Sequence, residues 1–208
     1  GGQDLGEGYD ELFLLALVKS FQDAISETLI VNGSQAEYIC CVMDSEDNYV
    51  DTERDVEVVQ IRLQFPYCKV DNSVFKEIVL PYAIQNLRIN NVFSYLSQQP
   101  RNNWEDIIEQ CRDNSYIPMY MSRQGPDYPV LRLKHIYKRI TSQMLTTDEA
   151  LDAEECDLTE CFYPQLHEHV STGLVPATMF DYNPDLTFWI PLFLSVSYGR
   201  QVTLPIEA

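Results

Sequence analysis

Positive charge is scarce in this chain. Its 208 residues carry 14 Lys and Arg against 32 Asp and Glu, a net charge of −18. That balance excludes bulk, sequence-independent phosphate binding over the whole surface, so any nucleic-acid contact has to be local. Several short motifs are missing as well. There is no GxxxxGK(S/T) phosphate loop, no Gly-x-Ser-x-Gly, no HExxH and no glycine-rich dinucleotide fingerprint. Hydrolase and dehydrogenase readings therefore have no support, and the chain cannot be an ATPase alone. Long hydrophobic runs are lacking too. The longest, Phe188–Val196, is broken by Pro191 and falls well short of the roughly 20 residues that span a bilayer. With no signal peptide, the expectation is a soluble, intracellular protein with no membrane partner. There is no internal repeat and no low-complexity tract.

What is present suits one globular domain. Hydrophobic residues make up 45% and aromatic residues 12%, enough for a sizeable core. The chain opens Gly-Gly-Gln without Met, which reads as a tag scar or an excised piece, with residues 1–8 as a flexible lead. Six cysteines (Cys40, Cys41, Cys68, Cys111, Cys156 and Cys161) in a chain of this length are expected to be reduced.

Periodicity gives the elements. Asp10–Leu29 reads as a helix, with Leu14, Val18, Phe21 and Ile25 on one face, ended by Asn32-Gly33-Ser34. Tyr38–Met43 is a buried strand, Asp44–Asp55 a polar loop, and Val56–Val70 a long strand able to pair with the first. Asp71-Asn72-Ser73 offers N-caps for a helix to about Asn90, which Pro81 kinks or restarts. Trp104–Cys111 reads as a short helix, and Met119–Met121 and Val130–Ile136 as strands around a Gly125-Pro126-Asp127 turn. Pro184–Val196 reads as a helix packing Phe188, Leu192 and Val196. The division that follows is a core over 9–145, an acidic loop over 146–160, and a C-terminal extension over 161–208 packed on the core. Helices and strands do not alternate as βαβ, so the class is α+β.

Three constellations carry chemistry. Asp44 and Glu46 stand two apart at a strand end, so both side chains leave on one side and could share a metal. The same residues also describe an acidic, solvated turn. Arg62 and Gln64 alternate with Ile61, Leu63 and Phe65. Arg62 could meet a triphosphate or pair with Asp44 or Glu46. Ser122–Ile140 combines a hydroxyl with Arg123, Arg132, Lys134, Lys138 and Arg139 among tyrosines, a mix suited to phosphate and nucleotide contact, or to a charged surface hairpin. Cys156, Cys161, His167 and His169 have zinc-type side chains, but their spacing matches no known finger and zinc is not expected.

The order of these pieces is what is distinctive: CCVMDSED, then IRLQFPYCKVD, a helix, and IPMYMSRQ. From about Tyr38 to Ile140 the chain resembles the archaeo-eukaryotic primase-like domain of the primase–helicase proteins of nucleocytoplasmic large DNA viruses. The tail FWIPLFLSVSY also looks similar to the segment after that domain in giant-virus members. The resemblance implies an RRM-like α+β primase core with an antiparallel sheet and flanking helices. It implies Mg2+ or Mn2+ held by Asp44, Glu46 and a third acid, for which Asp113 and Asp127 are candidates. It implies nucleotide contacts from Arg62, Ser122, Arg123 and Lys134. DNA template, nucleotides and a downstream helicase domain of the same protein would be the partners, at a viral replication site in host cytoplasm or nucleus. The chain departs from the family pattern at Arg62 (usually His), Glu46 (usually Asp) and Met121 (usually Gly). Two functions follow: two-metal primer synthesis, or a catalytically silent primase-fold scaffold that docks a replication partner through its acidic surface.

Overall fold

The computed structural model describes residues 10–29, 38–45, 48–70, 72–109, 116–118, 131–141, 179–181 and 188–199. Helix α1 (Glu11–Thr28) begins where the Asp10 carboxylate accepts the Phe13 N–H at 2.9 Å. Such a cap satisfies one of the four free donors at a helix start. The expected stripe of α1 is buried, but so are Phe13, Leu15, Ala16 and Leu17. The burial is wider because α1 is covered twice: the sheet lies on one side, and α3 (Leu80–Ile89) with a 3-10 turn (Val92–Tyr95) on another.

The sheet runs β4-β8-β3-β1-β6, with β2 also on β3, and every pairing is antiparallel. Its strands are β1 (Cys40–Ser45), β2 (Tyr49–Asp51), β3 (Val56–Val70), β4 (Ile108–Glu109), β6 (Leu131–Tyr137) and β8 (Phe188–Gly199); β5 (Tyr116–Pro118) pairs with β7 (Met179–Asp181) in a separate two-stranded sheet. The expected α+β class with an antiparallel sheet and flanking helices is what the chain adopts. Among the described residues, no helix is long and apolar enough to cross a membrane.

The two faces of the large sheet differ. Val59, Ile61, Leu63 and Phe65 of β3, Cys40 and Val42 of β1, and Leu194, Val196 and Tyr198 of β8 join the helices in one core. Burying each large apolar side chain there contributes about 1.5–3 kcal/mol. The other face holds a small cluster of Cys41, Met43 and Ile136, flanked by Ile39, Tyr67 and Leu133, together with buried Gln60 and Arg62. Cys40, Cys41 and Cys68 are free thiols.

One side chain ties α1 to the sheet. Gln22 Nε2 donates to the carbonyls of Tyr38 (2.8 Å) and Lys138 (2.9 Å), and its Oε1 accepts from the Ile140 N–H (2.9 Å). The start of β1 and the end of β6 are thereby fixed to the same turn of helix.

Four expectations change. Where the helix expected over Pro184–Val196 falls on described residues it is a strand instead: Phe188–Gly199 is β8, paired along β3. Phe188, Leu192 and Val196 are spaced by four, a multiple of two as well as nearly a helical turn, and the alternation Leu194-Ser195-Val196-Ser197-Tyr198 is the strand signal. The loop Asp44–Asp55 contains β2. The Trp104–Cys111 helix stops after one turn, α4 (Trp104–Ile107), because Ile108 pairs with Leu194 in the sheet. The helix after β3 starts as α2 (Asn72–Val74), widens into a π turn (Phe75–Val79) and continues as α3. Leu80 donates five residues back, to Phe75, immediately before Pro81, which has no N–H to give. The restart expected at Pro81 is thus achieved by a π turn. Met119–Met121, the Gly125-Pro126-Asp127 turn and residues 142–178 lie outside the described residues.

Candidate functional site

Asp44 sits at a seam. The run Cys40–Met43 is apolar on both faces and is buried in the sheet; Asp44 is the first charge after it. β1 covers β3 from Ile61 to Gln64, and β2 covers it from Val56 to Val58, so two strands share one edge of β3 with a break between them. On the other side of β1 the ladder with β6 slips: Val42 faces His135, but Met43 faces Leu133. Lys134 is the extra residue of this β-bulge, a feature that re-aims a side chain.

The bulge delivers its ammonium to the acid. Lys134 Nζ lies 3.3 Å from Asp44 Oδ2, with the two side chains 19% and 10% exposed. A carboxylate so far removed from water needs a charged or hydrogen-bonding partner nearby. One residue on, His135 Nε2 lies 3.4 Å from Glu11 Oε1 in the first turn of α1, and the His135 ring tilts against Tyr137. Burial pushes the Tyr137 phenol well above its ordinary range, with the nearby Glu11 and Cys40 adding to the shift. Burial also raises the Cys40 thiol, which keeps it protonated and a poor nucleophile or metal ligand.

Register decides which expected residues meet. Residues directly opposite in an antiparallel pair share a face. Asp44 faces Ile61, on the helix-covered side, while Arg62 faces Met43, on the other. The sheet brings Asp44 and Lys134 together and puts Asp44 and Arg62 on opposite faces, against the Arg62–Asp44 pairing entertained from sequence. Nor are the bases of β6 one patch. Arg139, two residues past the end of β6, binds Asp23 at 2.7 Å and lies over the Tyr38 ring. Glu46, Asp113, Asp127, Ser122 and Arg123 lie outside the described residues, as do Cys156, Cys161, His167 and His169. The Lys134–Asp44 contact was not foreseen, since a bulge has no signature in this sequence, and neither was His135–Glu11, whose partners are far apart in the chain.

Asp44 by itself is not a cation site. It offers carboxylate oxygens at a strand end, and a positive group already faces one of them. Among the described residues no group of three or more His, Cys, Asp or Glu could hold a metal, and any further ligands would have to come from beyond them.

The chain is an α+β domain with an antiparallel sheet, helices against it and an acid at the end of an inner strand. A family model described as the C962R protein N-terminal AEP domain, AEP denoting archaeo-eukaryotic primase, matches residues 4–137, and the chain belongs to that family. It is a primase-like domain of a viral protein. Domains of this family generally depend on divalent metal. The match includes Asp44, Arg62 and Lys134 but ends before β8, although β8 lies inside the same sheet. Comparison with curated proteins and with solved structures returned no match.

Proposed function

We propose that this domain is a template-dependent nucleotidyltransferase that makes primers in a viral DNA-replication primase–helicase. The observation that carries the reading is Asp44: an acid within the family match, largely removed from water, at the seam of β1 and β2 and facing a cation. With Glu46 and Asp113 it would hold Mg2+ or Mn2+. Divalent ions held there would supply charge neutralisation at the reacting phosphate and activation of a 3′-hydroxyl. The chain's own residues do the rest. Asp44 fixes the position of the site on the helix-covered side of the sheet. Lys134 adds positive charge beside it for the triphosphate, with Ser122 and Arg123 as further phosphate contacts. Arg62, which faces the other side, is assigned no share of the same cation. DNA template, nucleotides and a helicase domain of the same protein are the partners this reading implies.

A catalytically silent scaffold of the same fold is the second reading. The net charge of −18 favours it, as do the departures from the family pattern at Arg62 and Glu46. Primer synthesis on single-stranded DNA with labelled NTPs or dNTPs and Mn2+ or Mg2+ separates the two. Product that disappears in Asp44→Ala is expected. Full synthesis by Asp44→Ala would exclude Asp44 as a metal ligand, and no product from either protein would favour the scaffold.

A further inference from the structure

We infer that the outer stripe of α3 is a self-association surface, on which a second copy of this chain packs antiparallel. The inference is independent of the reading of Asp44. Five large apolar side chains are exposed among the described residues, and three of them, Ile78 (49%), Tyr82 (36%) and Ile89 (71%), lie on the π turn and α3. Exposed apolar side chains gathered on one face mark a contact, whereas scattered ones need no explanation. With exposed Gln85 the three recur at steps of four, three and four, the spacing of a seam that packs on another helix. The stripe is not needed by the core. Leu80, Ala83 and Leu87 fill that role from the inner side of α3, which lies against α1.

The charges say which helix fits. Glu77 and Arg88 are both exposed, and each precedes an end residue of the stripe, so they stand on one flank at opposite ends. A copy related by a two-fold axis sets Ile78 opposite the partner's Ile89, Tyr82 opposite the partner's Gln85, and Glu77 alongside the partner's Arg88. A parallel copy would instead set like charge against like. The polar pair in the middle is matched as well, since a Gln amide can donate to a Tyr hydroxyl. Arg88 also meets Glu105 of its own chain, and a guanidinium has donors enough for two carboxylates. The stripe spans roughly 17 Å. That contact is smaller than stable complexes bury, so the dimer is weak, with a dissociation constant on the order of 100 µM. The charge of −18 on each copy opposes it further at low salt.

The test is sedimentation equilibrium of the full chain from about 10 µM to about 1 mM, at about 0.3 M NaCl to screen the like-charge repulsion. Wild type, Ile89→Glu, Glu77→Lys, the double exchange Glu77→Lys/Arg88→Glu, and Leu12→Glu are compared, with the melting temperature of each. Wild type should pass from monomer to dimer across the range. Ile89→Glu should weaken association about tenfold or more, because it sets a carboxylate in an apolar contact. Glu77→Lys should weaken it about three- to tenfold, and the double exchange should bring it back toward wild type, because the two charges have traded ends. Leu12→Glu puts the same acid on α1 in place of another exposed apolar side chain and should match wild type. Melting temperatures should stay level, since every substituted side chain is exposed. A wild type that stays monomeric would overturn the inference and leave the stripe to a helix of a different protein. A dimer that survives Ile89→Glu, an equal loss in Leu12→Glu, or a double exchange as weak as Glu77→Lys would each overturn it too.

Discussion

The two faces of the sheet offer a direct comparison. One is sealed under α1, α3 and α4 and carries the main core; the other has three buried apolar residues in its cluster, with Gln60 and Arg62 buried beside them. Asp44 belongs to the first face and Arg62 to the second, although they are one ladder step apart. Strand alternation teaches that a single step of register separates residues that a motif reading would gather into one site. The charged chemistry of the first face gathers where β1 stops, β2 has not yet begun, and β6 bulges.

The largest effect should come from the cores. Phe65→Ala, on the helix-covered face, should lose about 4 kcal/mol by urea unfolding, against about 2 kcal/mol for Ile136→Ala on the other. Equal losses would mean that the second face is packed as tightly as the first, and the contrast would fail.

Next comes the tie between α1 and the sheet. Gln22→Ala leaves two carbonyls and one N–H without these bonds, and should lose about 2–3 kcal/mol. Arg88→Ala, at an exposed ion pair, should stay within about 0.5 kcal/mol. If Gln22→Ala were as mild, α1 would be held by apolar packing alone.

The smallest effect is alkaline. Tyr137 and Tyr198 both lie in the main core, and burial raises both phenols above their ordinary 10.0. The folded state then keeps protons that the unfolded chain gives up. Stability should be unaffected by these groups below that pH and should fall as pH rises past it. Tyr198→Phe should make the fall shallower, which chemical unfolding across the alkaline range would read. An unchanged slope would show that Tyr198 ionises as easily folded as unfolded.

Much of the fold was legible in sequence because local patterns carried it. The stripe of α1, the buried run before Asp44 and the alternation of Val56–Val70 each gave the right element. The tail misled, because Phe188, Leu192 and Val196 fit two periods and only pairing with β3 decides between them. The site was legible in part. Asp44 could be singled out as the first charge after an apolar run. The partnership with Lys134 could not, since it depends on one extra residue in β6 and on a pairing between strands some ninety positions apart. Arg62 looked like a neighbour because sequence shows alternation within a strand but not which residue it faces in the next.

Anomalous diffraction from crystals soaked in Mn2+ tests the central claim most directly. The account predicts a peak at the Asp44 carboxylate, on the helix-covered side of the sheet. A peak on the Arg62 side, or none at Asp44, would contradict it.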